Sequence, residues 1–319
     1  MGLDVVTMGE TMVQLNAVQM GPLRYVTTFE KHAAGAESNF AIGVVRMGLT
    51  AGWISRVGND DFGRYVVSEI RGEGVDVSEV RIDDEAPTGI YFIQRGYPFP
   101  GKSTVVYYRK FSAASKLEPT DVNAKYIANS RLMHVTGITP ALSGTCKKTI
   151  IHAVDVAKKA GVQVSFDTNL RLRLWKSLDQ ARATFDLIYE KCDILITDPY
   201  SCKALYNIKS PQEIAKFMSK KGPSIVAVKL GEAGSMAFVG GRAVKKPSYD
   251  VHVVDPIGAG DAFDAGFISS ILKGWSIEKA LQVGNICGAL ATTVKGDVEG
   301  IPTLDLVTSI LSKEEIVLR

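Results

Sequence analysis

The stretch Asp255–Asp261 reads Asp-Pro-Ile-Gly-Ala-Gly-Asp, and a run of small and apolar residues that is typical of a helix, Ala262–Leu272, follows at once. Glycines let another molecule approach the backbone closely, and the first N–H groups of a helix have no partner within it. Together they bind an anion at the positive end of the helix dipole. The stretch therefore predicts an anion hole formed by Gly258, Ala259 and Gly260.

Asp261 lies at the mouth of this predicted anion hole. A carboxylate repels an anion, so Asp261 suits a base that takes the proton from an attacking hydroxyl. Phosphoryl transfer needs this arrangement of an oriented nucleophile beside a group that stabilises negative charge. The alternative is an acidic residue in the first turn that only favours the helix dipole, and for an isolated G-A-G-D it would be the better interpretation.

Outward from this stretch, short β-branched runs alternate with longer amphipathic stretches. This alternation predicts βαβ units, hence an α/β fold with a mostly parallel sheet covered by helices on both faces. The candidate strands are Val5–Met8, Trp53–Val57, Leu132–Val135, Val162–Phe166, Ile194–Ile196 and Ile225–Leu230. The candidate helices lie near 37–48, 62–73, 143–160, 177–191, 211–221, 259–273 and 276–294.

Two regions break the alternation and predict a small β-sheet, which we call the lid. Thr88–Arg95 and Thr104–Lys110 are strand-like runs joined by turn residues without a helix, which is typical of a hairpin. A stretch near the N-terminus also looks extended. We expect one α/β domain over all 319 residues, with the lid inserted from about 11–34 and 88–112.

Gly96–Ser103 matches the phosphate-binding pattern G-x-x-x-x-G-K-[ST], but in the wrong context. The pattern needs a helix after it, whereas Thr104 begins a strand-like run. Two prolines in the loop also lack the N–H groups that would hold a phosphate. We interpret the match as chance and expect Lys102→Ala to leave nucleotide binding intact.

The composition excludes several classes of protein. Hydrophobic residues make up 46%, as in ordinary globular proteins, and the net charge of +3 is too small to predict a nucleic-acid partner. The four cysteines lack C-x-x-C spacing, so they do not indicate zinc, and we expect reduced thiols in a cytoplasmic protein. The sequence shows no signal-peptide pattern and no apolar run long enough to span a bilayer, so we expect no membrane partner.

Four motifs in order resemble those of the phosphofructokinase-B/ribokinase family of sugar kinases. Asp255–Asp261 resembles the family's D-[TP]-x-G-A-G-D. Ala34–Ala41 is similar to its G-G-x-x-x-N-x-A, Val57–Gly63 to its G-x-D-x-x-G, and Lys229–Gly234 to its K-x-G-x-x-G. Each motif is weak alone, but together they cover nearly the whole chain in the right order.

The resemblance implies a ribokinase-like fold with a β-sheet lid, ATP and Mg²⁺ as cosubstrates, and Asp261 as the catalytic base. One departure concerns magnesium, because the family's N-x-x-E element reads Asp198-Pro-Tyr-Ser here and lacks the glutamate. We therefore assign no direct metal ligand, and Asp198 is a candidate to act through metal-bound water. The implied ATP-binding residues are Asn169, Leu170, Arg171, Lys229, Leu230, Gly231, Glu232, Ala233, Gly234, Gly258, Ala259, Gly260 and Asp261.

Within the family, the chain is most similar to 2-keto-3-deoxygluconate kinases of archaeal type. The supporting residues are Ala34–Glu37, Tyr107–Lys110, Asp167–Arg171 with Leu174 and Trp175, and Lys295–Asp297. The resemblance implies phosphorylation of the terminal hydroxyl to the 6-phosphate in sugar-acid catabolism of the Entner–Doudoroff type, with the galactonate epimer as a further candidate substrate. The implied substrate contacts are Gly35, Tyr91, Tyr107, Tyr108, Arg109, Arg171, Asp261 and Asp297.

The residue types agree with a sugar acid, whose carboxylate fits the planar donor forks of Arg109 and Arg171. Structural interpretations stay open for the same residues. Tyr91 and Tyr107 equally suit an aromatic pair across a hairpin. Arg109 suits a charge that protects an edge strand, and Asp297 suits a turn.

Other functions also stay open. A fructokinase, ribokinase or nucleoside kinase would have no use for paired arginines, and a non-catalytic sugar-binding relative would not need Asp261. A nicotinamide-dependent oxidoreductase would need G-x-G-x-x-G after the first strand, where the chain reads Met8-Gly-Glu-Thr.

We expect a homo-oligomer, because the family often buries lid strands between subunits and Ile90 and Phe92 are candidate exposed apolar lid residues. The sequence does not decide the epimer preference, the number of subunits or a requirement for a monovalent cation.

Overall fold

The computed structural model describes residues 2–99 and 103–312, which form two β-sheets and surrounding helices. The strands are β1 Leu3–Met8, β2 Met12–Ala17, β3 Phe29–Ala34, β4 Ala51–Gly58, β5 Val80–Asp83, β6 Ile90–Arg95, β7 Ser103–Tyr108, β8 Ser130–Thr136, β9 Gln163–Asp167, β10 Ile194–Thr197, β11 Ile225–Lys229, β12 Ser235–Val239 and β13 Arg242–Lys246. The helices are α1 Ala36–Arg46, α2 Asp61–Gly72, α3 Ala124–Ala128, α4 Thr139–Leu142, α5 Gly144–Lys159, α6 Leu178–Tyr189, α7 Pro199–Tyr206, α8 Pro211–Met218, α9 Ala259–Leu272, α10 Ile277–Ala291 and α11 Leu304–Ser312.

The larger sheet has nine strands in the order β13-β12-β11-β10-β9-β8-β1-β4-β5. The strands from β11 to β5 run parallel, and β12 and β13 extend the sheet antiparallel. In a parallel sheet all carboxyl ends lie at one edge, and ligands of α/β proteins bind outside that edge. The topology therefore places the ends of β1, β8, β9 and β11 around one site.

Helices cover both faces of this sheet, because its strands are apolar on both sides. In β11, Val226 packs in one hydrophobic cluster with residues of α5, α6 and α8, while its neighbour Ala227 packs in a second cluster with residues of α1, α9 and α10. Burying each large apolar side chain contributes about 1.5–3 kcal/mol. On α5, the side chains of Ile150, Val154 and Ala157 form the buried apolar face.

The predicted strands and helices of this α/β body are all present, with ends that differ by a few residues. The sequence missed β5, β12 and β13. Arg242–Lys246 shows why, because this edge strand reads Arg-Ala-Val-Lys-Lys and has little apolar surface to signal a strand.

The smaller sheet is the lid, with four strands in the order β3-β2-β6-β7. β6 and β7 form the predicted hairpin, with Tyr91 opposite Tyr107. The mostly parallel sheet with helices on both faces and a separate small sheet confirms the predicted fold class. Lys102, in the chance match to a phosphate-binding loop, lies outside the described residues. Within them, no helix combines the length and apolar character needed to cross a membrane.

Candidate active site

A cavity of about 640 Å³ lies between the lid and the carboxyl edge of the parallel sheet. This is the place at which the topology predicts ligand binding. It brings together residues from the lid, from the loop after β9 and from the start of α9. The predicted site residues that line it are Gly35, Tyr91, Tyr107, Arg109, Leu170, Arg171, Gly258, Asp261 and Asp297.

Two glycines make close backbone approaches at this cavity. Gly258 adopts φ +80° as the residue that begins α9, and a Cβ there would lie 2.3 Å from the carbonyl oxygen of Asp297. Gly35 begins α1, and a Cβ there would lie 2.4 Å from the carbonyl oxygen of Glu10. A side chain at either position would clash with these carbonyl oxygens, so the predicted anion hole at the start of α9 depends on Gly258.

Asp261 lies in the first turn of α9, where the sequence predicted the base. Its Oδ2 accepts a hydrogen bond from Asn39 Nδ2 at 2.9 Å. Burial raises its pKa to about 7, against the opposing effects of the Asn39 hydrogen bond and of the Lys229 charge. A carboxylate with a pKa near the working pH is well suited to general-base catalysis.

Asp297 lies beside Asp261 and is held by the same amide. Its Oδ2 accepts from Asn39 Nδ2 at 3.2 Å, and its Oδ1 accepts from Gln14 Nε2 at 2.8 Å. Burial raises the pKa of Asp297 to about 6. Asn39 therefore joins two acids that both titrate near neutral pH, which we call the cavity pair (Asp261 and Asp297).

Tyr91 and Tyr107 on the lid form the aromatic pair across the hairpin and also line the cavity, as a substrate contact would require. They are direct cross-strand partners with ring centroids 5.3 Å apart, and both line the cavity. The Tyr91 hydroxyl is also hydrogen-bonded to the Gln14 amide.

Tyr108 is different from these two tyrosines. Successive side chains of a strand alternate, so Tyr108 lies on the opposite face of the lid, where its ring packs edge-to-face on Phe92 at 5.8 Å. Tyr108 therefore does not line the cavity, unlike the other residues predicted to contact the substrate.

Arg109 forms an ion pair with the buried Glu10, and only 12% of its side chain is exposed, which corrects its interpretation as a solvated charge on an edge strand. Its Nε donates to Glu10 Oε2 at 2.7 Å, and its Nη2 contacts the same oxygen. Glu10 Oε1 accepts from the Ser112 hydroxyl. Within the described residues Arg109 Nη1 has no such partner, so one edge of the guanidinium is available to the cavity.

Arg171 follows β9 on a loop that borders the cavity. Asn169, two residues earlier, has φ +30°, which turns the chain sharply there. Arg171 and Arg173 both line the cavity and are exposed, and within the described residues neither forms an ion pair. The structure therefore offers two cavity arginines after β9 where the sequence argument used one.

Lys229, a predicted nucleotide contact, does not line the cavity. Its Nζ lies 2.9 Å from Asp167 Oδ2 and 3.0 Å from Asp264 Oδ1, and only 18% of the side chain is exposed. The ammonium group thus already contacts two buried aspartates, which favours a role other than direct binding of ATP. The following turn, Gly231–Ala233, is exposed and remains a candidate for the nucleotide.

Asp198, the candidate for metal-bound water, begins α7. Its two carboxylate oxygens accept from the backbone N and the hydroxyl of Ser201, at 2.8 and 2.6 Å. Among the described residues, no three His, Cys, Asp or Glu side chains are grouped so that they could hold a metal ion. Magnesium in phosphoryl transfer is typically held by one or two carboxylates together with the substrate phosphates, so the residues present fit only a site of that kind.

Sequence reasoning missed Gln14, Asn39 and Glu10 as site residues. Asn39 stands inside a motif that was recognised, but its role was not assigned. β2 reads Met12-Val-Gln-Leu-Asn-Ala, with polar residues at alternate positions, and this period of two signals a polar inner face. Glu10 has no comparable signal, because its partner Arg109 is 99 residues away.

Comparison with known proteins identifies the family of this chain. Residues 3–304 match the pfkB family of carbohydrate kinases. The chain is 42% identical to a 2-dehydro-3-deoxygluconokinase of Thermoproteus tenax, covering 94% of this chain and 92% of that protein. It is 40% identical to the enzyme of that name from Bacillus subtilis, covering 99% and 98%. A 2-dehydro-3-deoxygalactonokinase of Haloferax volcanii is 33% identical, covering 98% and 97%.

Solved structures agree in fold. The 2-dehydro-3-deoxygluconokinase of Thermotoga maritima superposes with a TM-score of 0.90 at 27% identity, covering 97% of this chain and 99% of that one. An E. coli protein solved in complex with ATP and Mg²⁺ also gives 0.90 at 27% identity, covering 98% and 100%. The chain therefore belongs to the pfkB family of carbohydrate kinases and is an ATP-dependent sugar kinase.

Proposed function

We propose that the protein transfers a phosphoryl group from ATP to the terminal hydroxyl of 2-keto-3-deoxygluconate and so forms the 6-phosphate. The observation that carries the proposal is one cavity in which Asp261 and the start of α9 lie with Arg109 and Arg171. The relatives at 42% and 40% identity are both named 2-dehydro-3-deoxygluconokinase, and 2-dehydro is another name for 2-keto. Their names therefore support the same substrate.

Asp261 accepts the proton of the terminal hydroxyl as that oxygen attacks the phosphorus. The hydrogen bond from Asn39 fixes the carboxylate in the cavity, and the neighbouring first-turn N–H groups stabilise the negative charge that develops on the transferred group. Mg²⁺, when bound with ATP, neutralises charge on the phosphates. Asp198 is the candidate to act on metal-bound water, through the lone pairs that its contacts to Ser201 leave available.

The sugar carboxylate is recognised by arginines. Arg171 offers a complete fork, because it lacks an ion-pair partner among the described residues. Arg109 offers only its remaining edge, because Glu10 already matches its charge. We therefore assign to Arg171 the main electrostatic attraction for the sugar carboxylate. We assign to Arg109 the orientation of the substrate. Gly35, Tyr91, Tyr107 and Asp297 complete the sugar side of the site.

ATP binds on the other side of Asp261, along Asn169, Leu170 and the Leu230–Gly234 turn. This part of the proposal rests on the family's motifs and on the exposure of Gly231–Ala233. We place the reaction in the cytoplasm, where ATP is the available donor, and the four cysteines, none of which forms a disulfide, are consistent with that compartment.

We also propose a homo-oligomer built on the outer face of the lid. Val106 and Tyr108 are exposed there, and Phe92 packs edge-to-face between Phe29 and Tyr108. Ile90 does not contribute, because it packs against the core. Burying exposed aromatic residues between subunits would favour association.

A substrate panel tests this function. Purified protein with ATP and Mg²⁺ is assayed with 2-keto-3-deoxygluconate, its galactonate epimer, fructose and ribose, in the wild type and in Arg171→Ala. We expect the highest kcat/KM with a keto-deoxy acid, and a loss in Arg171→Ala that is confined to the acids. Equal or better use of fructose or ribose would contradict the proposal, and the two acids together measure the epimer preference.

A further inference from the structure

A second group of charges lies directly behind the cavity and does not line it. Lys229 at the end of β11 contacts Asp167 at the end of β9 and Asp264 on α9, at 2.9 and 3.0 Å. Both aspartates are 1% exposed. We call these three residues the buried triad. Asp264 is three residues after Asp261, so the triad lies one helical turn behind the catalytic base.

The protonation states of the buried triad explain how its charged groups are tolerated away from water. Two carboxylates and one ammonium would leave a net negative charge, which is strongly unfavourable away from water unless a proton is taken up. The proton is on Asp264, because burial and the neighbouring Asp167 raise its pKa well above the usual value. Asp167 stays ionised, because Lys229 holds its pKa below the usual value although burial opposes this. At neutral pH the triad is an ion pair plus a neutral acid.

The triad joins the parts of the phosphoryl-transfer site. Asp167 leads into Asn169, Lys229 leads into the Gly231–Ala233 turn, and Asp264 belongs to the helix whose start forms the anion hole. A Cβ on Gly260 would lie 3.4 Å from Lys229 Nζ, so the ammonium lies next to the anion hole. Lys229 thus brings a positive charge to the place where negative charge develops during transfer.

We propose that Lys229 is a positioning residue for phosphoryl transfer: through Asp167 and Asp264 it fixes the start of α9 against the ends of β9 and β11, and it supports the ionised form of Asp261 without binding ATP itself. This inference rests on the proposed function only in taking Asp261 as the base.

The surroundings of Asp261 define what a pH profile would report. Asn39 faces it from α1, Asp297 from the loop before α11, Asp167 from β9 and Lys229 from β11. Lys229 is the one cation among these groups, and the others are acids or an amide. Its removal therefore raises the pKa of the base, so that a higher pH is needed for activity.

Lys229→Met is the first test variant, assayed with whichever sugar of the panel the wild type phosphorylates fastest. We expect kcat to fall about 10- to 100-fold through misplacement of α9. We also expect the acid limb of kcat/KM to move up by about one pH unit, while the Kd of ATP, measured by calorimetry, stays within about twofold. Lys158→Met is the matched control, since it breaks the Lys158–Asp193 ion pair away from the site.

A second variant guards against simple loss of folding, since Lys229→Met leaves Asp167 as an unpaired buried charge. Lys229→Met/Asp167→Asn removes both charges, so we expect Tm to recover while kcat stays low. Recovery of kcat together with Tm would show a merely structural role and overturn the proposal. The proposal would also be overturned if the affinity for ATP fell by the same factor as kcat/KM while the acid limb of the pH profile stayed in place. Because the assay uses the best sugar found, failure of the substrate assignment leaves this test valid.

Discussion

The cavity pair and the buried triad each contain two aspartates at the same edge of the sheet, and they differ in the group that joins the two acids. Asn39, a neutral amide, joins Asp261 and Asp297, whose pKa values are raised to about 7 and about 6. Lys229, a cation, joins Asp167 and Asp264 and keeps Asp167 ionised. A neutral amide thus leaves acids able to exchange protons, whereas the ammonium keeps one acid ionised as a fixed support.

Asp261→Asn removes the proposed base from the cavity pair and is expected to have the largest effect. The amide keeps the shape but cannot accept a proton, so kcat should fall about 10²- to 10⁴-fold. Steady-state kinetics with a coupled ADP assay measures it. A variant that keeps full kcat would exclude Asp261 as the base.

The same variant has a consequence for stability with a defined sign. The folded-state pKa of Asp261 is raised above its usual value of 3.8, so folding favours the protonated acid and loses stability as the pH rises towards 7. Asp261→Asn removes this loss. Its Tm should exceed that of the wild type at pH 8, and the difference should vanish near pH 4. A Tm difference that is independent of pH would contradict the raised pKa.

Asn39→Leu removes the neutral bridge of the cavity pair and is expected to have the next largest effect. Hydrogen bonds to charged groups contribute about 1.5–3 kcal/mol, so kcat/KM at pH 7 should fall about 10- to 100-fold. Since the lost bond favoured the ionised Asp261, the acid limb should also move to higher pH. Retained activity with an unmoved limb would show that Asn39 does not support the base.

Glu10→Gln tests the Glu10–Arg109 ion pair, in which the cation lines the cavity, unlike Lys229 of the buried triad. It removes the charge that holds Arg109 while keeping the shape of the side chain. We expect KM for the sugar acid to rise about 10-fold through lost orientation, with KM for ATP unchanged. A lower KM for the acid would mean instead that Glu10 weakens the attraction of Arg109 for the carboxylate.

Tyr108→Ala should have the smallest effect on catalysis, because Tyr108 faces away from the cavity. We expect kcat and KM to stay within about twofold, as for surface changes remote from the site. Tyr107→Ala on the adjacent, cavity-facing position is the matched control, and it should raise KM for the sugar. Equal effects of the two changes would contradict the described alternation of the strand.

The fold was predictable where local pattern determines structure. Strands such as Ile194–Thr197 are fully buried and read as apolar runs, and the lid hairpin is marked by turn residues. The start of α9 at the predicted anion hole was predictable for a similar reason, because Gly258 to Asp261 are adjacent in sequence. Tyr108 could have been separated from Tyr107 by the alternation of a strand.

The connections within the site were not predictable in this way. Asn39 and Asp261 are 222 residues apart, and nothing local marks either as the partner of the other. Lys229 ends a strand, and the sequence around it does not show whether its ammonium points to solvent or to acids on α9. Such partners are fixed by tertiary packing, which brings the strand ends and helix starts together.

Alkylation of the four buried cysteines would report how often the fold opens around each of them. Burial raises the pKa of Cys146 to about 11 and those of Cys192, Cys202 and Cys287 to about 12, and only the thiolate reacts with alkylating reagents. Each alkylation event therefore has to wait for a local opening of the fold. Cys287 lies in α10, whereas the other three belong to the core on the opposite face of the sheet. The alkylation rate of Cys287, compared with the rates of the other three cysteines, would therefore report the opening of the two helical layers separately.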